Sequence, residues 1–141
     1  MEKEILKQTE TPTIIWPPNT VKEVVKMRDF GTGATRDNED GKLDFEACCS
    51  PLVEERFAEY MLQCSYLPDG TRRADDNWQN GIPKTSYMKS LKRHIHDVWK
   101  LHRGYKTTDG KTGKPVDMET ALCAVLFNVN GYLHEILKER K

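Results

Sequence analysis

Four carboxylates and one imidazole carry most of the chemistry this sequence could perform. Glu55 and Glu59 stand four apart, Asp97 follows His94 by three, and Glu119 opens a later helical pattern. At helical spacing Glu55 and Glu59 share one face, and His94 meets Asp97 on another. Two carboxylates one turn apart can hold a divalent cation. If the helices converge, Glu55, Glu59, Asp97 and Glu119 would hold Mg²⁺ against a polyphosphate. His94 would then polarise or deprotonate water, or contact phosphate. Arg36, Lys42 and Arg93 would neutralise phosphate charge, and Asn77, Trp78 and Asn128 would shape a base or sugar site, Trp78 by stacking. Each residue also has a plainer reading: glutamates on a solvated face, an intrahelical His–Asp pair, and a tryptophan anchored in a core.

Other chemistries fail on spacing. His96-Asp97 resembles a metal phosphohydrolase dipeptide, but no His precedes His94, and adjacent helical residues point about 100° apart. No G-x-S-x-G elbow is present for a serine hydrolase, and no C-x-x-C for deaminase zinc. Gly33 and Gly41 enclose seven residues and Leu43 follows Lys42, which breaks a phosphate-loop pattern. A loop holding Arg36 and Lys42 could still bind phosphate oxygens.

Three helices must position these groups. Ser50 and Pro51 form a helix start, followed by Val53, Phe57, Tyr60, Met61 and Cys64 as its apolar face. A second helix is expected over 85–103, with Gly104 as its stop. Met88, Leu91, Ile95, Val98 and His102 make one stripe on it. Tyr87, Ser90, His94, Asp97 and Leu101 make the next, and Lys89, Arg93, His96, Lys100 and Arg103 lie outside. A third helix runs over 117–138 from an Asp117 cap. Its broad apolar face borders a stripe of Ala121, Ala124, Asn128, Gly131 and Glu135, narrow enough for another helix to approach closely. Between them lie polar loops at 66–76 and 105–116, the latter a candidate flap. The stretch Asn77–Gly104 holds two of the three tryptophans and three of the four histidines.

The expected fold is therefore all-α: a small bundle of about three main helices with long polar loops. The expected organisation is an extended N-terminal segment over 1–30, where Pro17-Pro18 disfavour a helix, and an all-α domain over 31–141. Trp16 beside those prolines would dock on the domain or on another subunit. Val21–Met27 reads equally as a strand or a helical turn. Three helices make a thin core, so a homo-oligomer is expected.

Composition narrows the partners. The 22 basic and 22 acidic residues cancel, which argues against a general nucleic-acid or membrane surface. No apolar run approaches the ~20 residues of a membrane span, and MEKEILKQTE lacks a signal-peptide core. The expectation is a cytoplasmic protein. Cys48, Cys49, Cys64 and Cys123 form no C-x-x-C pair and read as free thiols, with Cys64 and Cys123 in the core.

Taken together, GATRDNEDGKLDFEACCSPLVEERFAEYM, DNWQNGI, SLKRHIHDVWKLHRG and ALCAVLFNVNGYLHEIL resemble a phage-associated family, the dATP/dGTP diphosphohydrolase N-terminal domain. The matching positions are Gly33, Ala34 and Arg36; Gly41, Lys42 and Asp44; Asn77, Trp78 and Gly81; Arg93 and His94; Asp117 and Glu119; Ala124 and Asn128. The resemblance covers roughly residues 31–138. It implies a purine deoxynucleotide as ligand, hydrolysis of a dNTP to dNMP and pyrophosphate, and residence in an infected bacterial host. Comparison with all-α pyrophosphatases suggests E-E-x-x-E and E-x-x-D helices. Here Glu59 stands one position out of that register, and no E-x-x-D occurs on the last helix. A non-catalytic binder sequestering a nucleotide or nucleotide-derived signal thus stays open, as does a purely structural interaction protein.

Overall fold

Asp117 closes the amino end of the longest helix. Its backbone is extended, and its Oδ1 accepts the Thr120 N–H at 2.7 Å. That bond satisfies one of the orphan donors of a helix start and holds the Asp117 carboxyl below the usual carboxylate range. The computed structural model describes residues 27–140, so the expectations for Trp16, for Val21 to Lys26 and for most of the 1–30 segment lie outside the described residues. The chain divides into two units, the first ending at Phe45 and the second beginning at Glu46.

In the first unit, β1 (Arg28–Asp29) pairs antiparallel with β2 (Thr35–Arg36). Gly31 and Gly33 turn the chain between them at positive φ. Arg28 meets Glu39 at 2.6 Å.

The second unit is helical, as the apolar periodicity predicts. A single turn, α1 (Phe45–Cys48), begins at the last residue of the first unit, and α2 (Pro51–Ser65), α3 (Lys84–His102) and α4 (Met118–Lys138) follow. Pro51 opens α2 as expected, but the Ser50 side chain makes no capping bond. Gly104, at φ +81°, ends the turn after α3. Lys84, the first residue of α3, bonds Glu139 just past α4 at 2.7 Å, as antiparallel neighbours must. The fold is all-α, to which the described residues add the small strand pair and one 3-10 turn. No helix among them is long and apolar enough to cross a membrane.

The core sits where α3 meets α4. Tyr87, Ala121 and Ala124 are its buried hydrophobic members, with Asn128 and Gly131 alongside, while buried Cys123 faces α2 at the Arg56 carbonyl. The small stripe of α4 does admit a close neighbour: a Cβ at 131 would collide with the Tyr87 ring. The Asn128 amide donates to the Ala124 carbonyl at 2.7 Å, which satisfies a buried donor.

Three expectations need correction. On α3 the stripe that meets α4 is the one containing Tyr87, while Met88 and Ile95 are 45% and 46% exposed. Cys64 is exposed, not core, and so is Val53. The reason is common to them. α2 meets α4 over a small patch, while α3 and α4 pack extensively. Much of the apolar surface on all three helices is left uncovered.

Candidate functional site

A groove of about 590 Å³ opens between α2 and α4. Phe57, Ala58 and Met61 line it from α2, and Phe127, Asn130 and Gly131 from α4. Its lining is mainly apolar, and its size lies within the range of small-molecule sites, ~300–1,000 Å³. At the rim stand Arg72, Asp75 and Trp78.

Local sequence explains the rim. Leu67 to Gly70 turn the chain after α2, with the Leu67 N–H on the Thr71 carbonyl at 2.8 Å and Gly70 at φ +83°. Asp69 accepts from the Thr71 N–H and hydroxyl, and these bonds hold its carboxyl low. The loop then returns along the end of α2, where Arg72 Nε donates to Ser65 Oγ at 3.0 Å. Arg72 also pairs with Asp75 and lies 5.9 Å from the Tyr66 ring centroid. A 3-10 turn, Asn77–Asn80, ends at Gly81 (φ +97°) and swings Trp78 toward α4. There the indole meets His134 edge-on, at 4.8 Å between centroids.

This combination suits a planar heteroaromatic ligand. Apolar side chains and an indole give van der Waals and stacking surface. A guanidinium and a carboxylate at the mouth provide a charged donor and an acceptor.

Most of the other candidates are not among the residues that line the groove. Asn77 is exposed on the 3-10 turn beside Trp78. Asn128 is 3% exposed inside the α3–α4 packing. Arg93 is exposed, with its guanidinium 3.4 Å from Ser90 Oγ. Arg36 in β2 and Lys42 after it belong to the first unit, both exposed.

His94 and Asp97 do meet, Nδ1 to Oδ2 at 3.5 Å. Burial pushes the His94 imidazole below its ordinary pKa, Arg93 adds to this, and Asp97 opposes it. Asp97 Oδ1 also accepts the hydroxyl of buried Thr107 at 2.8 Å. Asp97 thereby fastens the loop that follows α3. That loop is further shaped by Asp109, which accepts from Lys111 and Thr112.

The expected Mg²⁺ cluster is not assembled: among the described residues, no three His, Cys, Asp or Glu side chains could share a metal ion. Glu119 instead receives Arg56 Nε at 3.0 Å, which pins α2 to α4. Asp97 is committed to Thr107 and His94. Glu55 and Glu59 are exposed on α2. Among the described residues α2 packs mainly on α4, and lightly, whereas α3 and α4 pack extensively.

Of the residues that type and spacing nominate, Trp78 is the one that lines the groove. Its neighbours at the rim, Arg72 and Asp75, belong to no motif. The run Thr71-Arg72-Arg73-Ala74-Asp75-Asp76 nevertheless carries a signal, since a loop dense in charge beside a tryptophan is a natural rim. Phe57 and Met61 have core periodicity, and periodicity does not distinguish a packed core from a half-buried groove wall. No family model, curated protein or solved structure matches the chain.

Proposed function

We propose that the groove between α2 and α4 binds a purine nucleotide. The observation that carries this reading is Trp78 set with Arg72 and Asp75 at the mouth of one apolar groove. The base would enter among Phe57, Met61 and Phe127, with the Trp78 indole against its face or edge. Asp75 would accept from an exocyclic amine or a ribose hydroxyl, and Arg72 would hold a phosphate. The resemblance to the phage-associated dATP/dGTP family supports a deoxypurine as ligand. In its simplest form the protein is a binder that sequesters the nucleotide.

A second reading, hydrolysis to dNMP and pyrophosphate, draws on the position of Glu55. Glu55 shares a helical stripe with groove-lining Ala58 and Leu62, and Glu59 follows one turn on. Mg²⁺ commonly takes one or two protein carboxylates, with phosphates and water as its other ligands. The two glutamates fit an ion in that manner, bridged by the substrate itself.

The test is a titration of the full chain with dATP, dGTP, dCTP and dTTP, with and without Mg²⁺, following calorimetry and pyrophosphate release. Purine-selective binding that falls at least tenfold in Trp78→Ala supports the site. Turnover lost in Glu55→Gln adds the hydrolase. Absence of purine binding overturns both readings.

A further inference from the structure

The α3–α4 pair carries a second apolar face, distinct from the one that forms the groove. On α4, Leu122, Val129, Leu133 and Leu137 are 43–50% exposed. With half-buried Leu126 and Ile136 they recur at intervals of four and three, the spacing of a helix seam. On α3, Met88, Ile95 and Trp99 are 45%, 46% and 58% exposed, and Leu91 fills the same seam.

Helical phase puts both stripes on one side. Met88 follows Tyr87, the α3 residue packed on Gly131. Leu122 follows buried Ala121, and Val129 follows buried Asn128. One residue is a turn of about 100° in the same sense on either helix. Because α3 and α4 run antiparallel, equal rotations bring the two stripes to the same side of the pair. The residues of α4 that face α2 (Cys123 at Arg56, Phe127 and Asn130 in the groove) include those one position before Ala124, Asn128 and Gly131. α2 therefore covers the opposite side.

We propose that this α3–α4 face is the interface between two copies of the chain, which pair their hairpins into a four-helix bundle. Two arguments select a second copy as the occupant. The area fits: seven large side chains about half exposed leave on the order of 600 Å², at the upper end of a monomer's largest patch, ~300–600 Å². It approaches the ~800 Å² per partner of a standard specific interface. The shape also fits, since a two-helix surface with a four-three repeat on each helix is complementary to itself across a two-fold axis. Charge fixes the arrangement. Lys89, Lys92, His96 and Lys100 edge the face along α3. Each α3 therefore lies against the partner's α4, away from the partner's basic edge.

Light scattering on the full chain should give twice the chain mass from micromolar to sub-millimolar concentration. Val129→Glu and Leu133→Glu should halve it while far-ultraviolet circular dichroism stays helical. Hydroxyl-radical footprinting of the unaltered chain provides a readout that does not depend on a variant folding. Met88 and Trp99 should lose reactivity as dimer forms, and Tyr66, exposed at the end of α2, should not. A monomeric mass throughout overturns the proposal and leaves the face to residues 1–26 or another partner. A dimer that survives in helical variants, or that leaves Met88 and Trp99 fully reactive, also overturns it. The nucleotide site lies on the other side of α4, so neither result touches that reading.

Discussion

The Tyr87 ring occupies the space where any side chain at 131 would begin. This relationship sets the distance between α3 and α4, and it reverses an ordinary rule. Glycine inside a helix usually costs about 1 kcal/mol relative to alanine. Here Gly131→Ala should destabilise by about 1–3 kcal/mol, because overpacking outweighs the gain in helix propensity. Chemical denaturation of the variant measures it, and a gain in stability would contradict the packing described.

The Tyr87 hydroxyl is buried with no hydrogen-bond partner among the described residues. Removing it eliminates an unsatisfied polar group. Tyr87→Phe should therefore be neutral or stabilising by up to about 1 kcal/mol. Tyr87→Ala should lose about 3–5 kcal/mol through the cavity it leaves. Paired melting curves separate the two effects.

Thr107→Val breaks the bond to Asp97 while keeping the shape of the side chain. The expected cost is about 1 kcal/mol. Amide exchange should accelerate over residues 105–116 and stay unchanged in α2. Purine binding should be unaffected. Weaker binding would mean that His94 and Asp97 act at the site after all.

His94 gives a pH signature. Its imidazole titrates below the ordinary value in the folded chain, through burial and then Arg93, against the opposing pull of Asp97 and Asp109. The unfolded chain therefore binds the proton more readily, and stability rises with pH across this window. The contribution is complete above about pH 6.5 and is lost as pH falls toward the folded-state pKa. The unfolding free energy should drop between neutral and mildly acidic pH. In His94→Gln that part of the slope should vanish, which a denaturation series at stepped pH will read.

Much of the architecture is legible in the sequence because it is local. Asp117 as a cap, Pro51 at a helix start, Gly104 as a stop and the small stripe of α4 each follow from a few neighbouring residues. The pairing of His94 with Asp97 follows from their three-residue spacing. The choice among faces is not local. Tyr87 and Met88 head adjacent stripes of similar hydrophobicity, and only the position of α4 decides which is covered. The carboxylates scatter for the same reason, since Glu119 meets Arg56 through the docking angle of α2. Arg72 and Asp75 reach the groove through a loop return that no periodicity encodes.

The slight packing of α2 on α4 also orders the energetics of the molecule. α3 and α4 are neighbours in sequence, joined by a loop that Thr107 tethers to Asp97, so their contacts close early and open late. α2 adds little to that unit and is the natural first segment to detach in a partial opening. The groove exists only while α2 is docked. Any ligand bound there acts as a clasp on the weakest joint, and slowed amide exchange in Pro51–Ser65 would be its earliest trace.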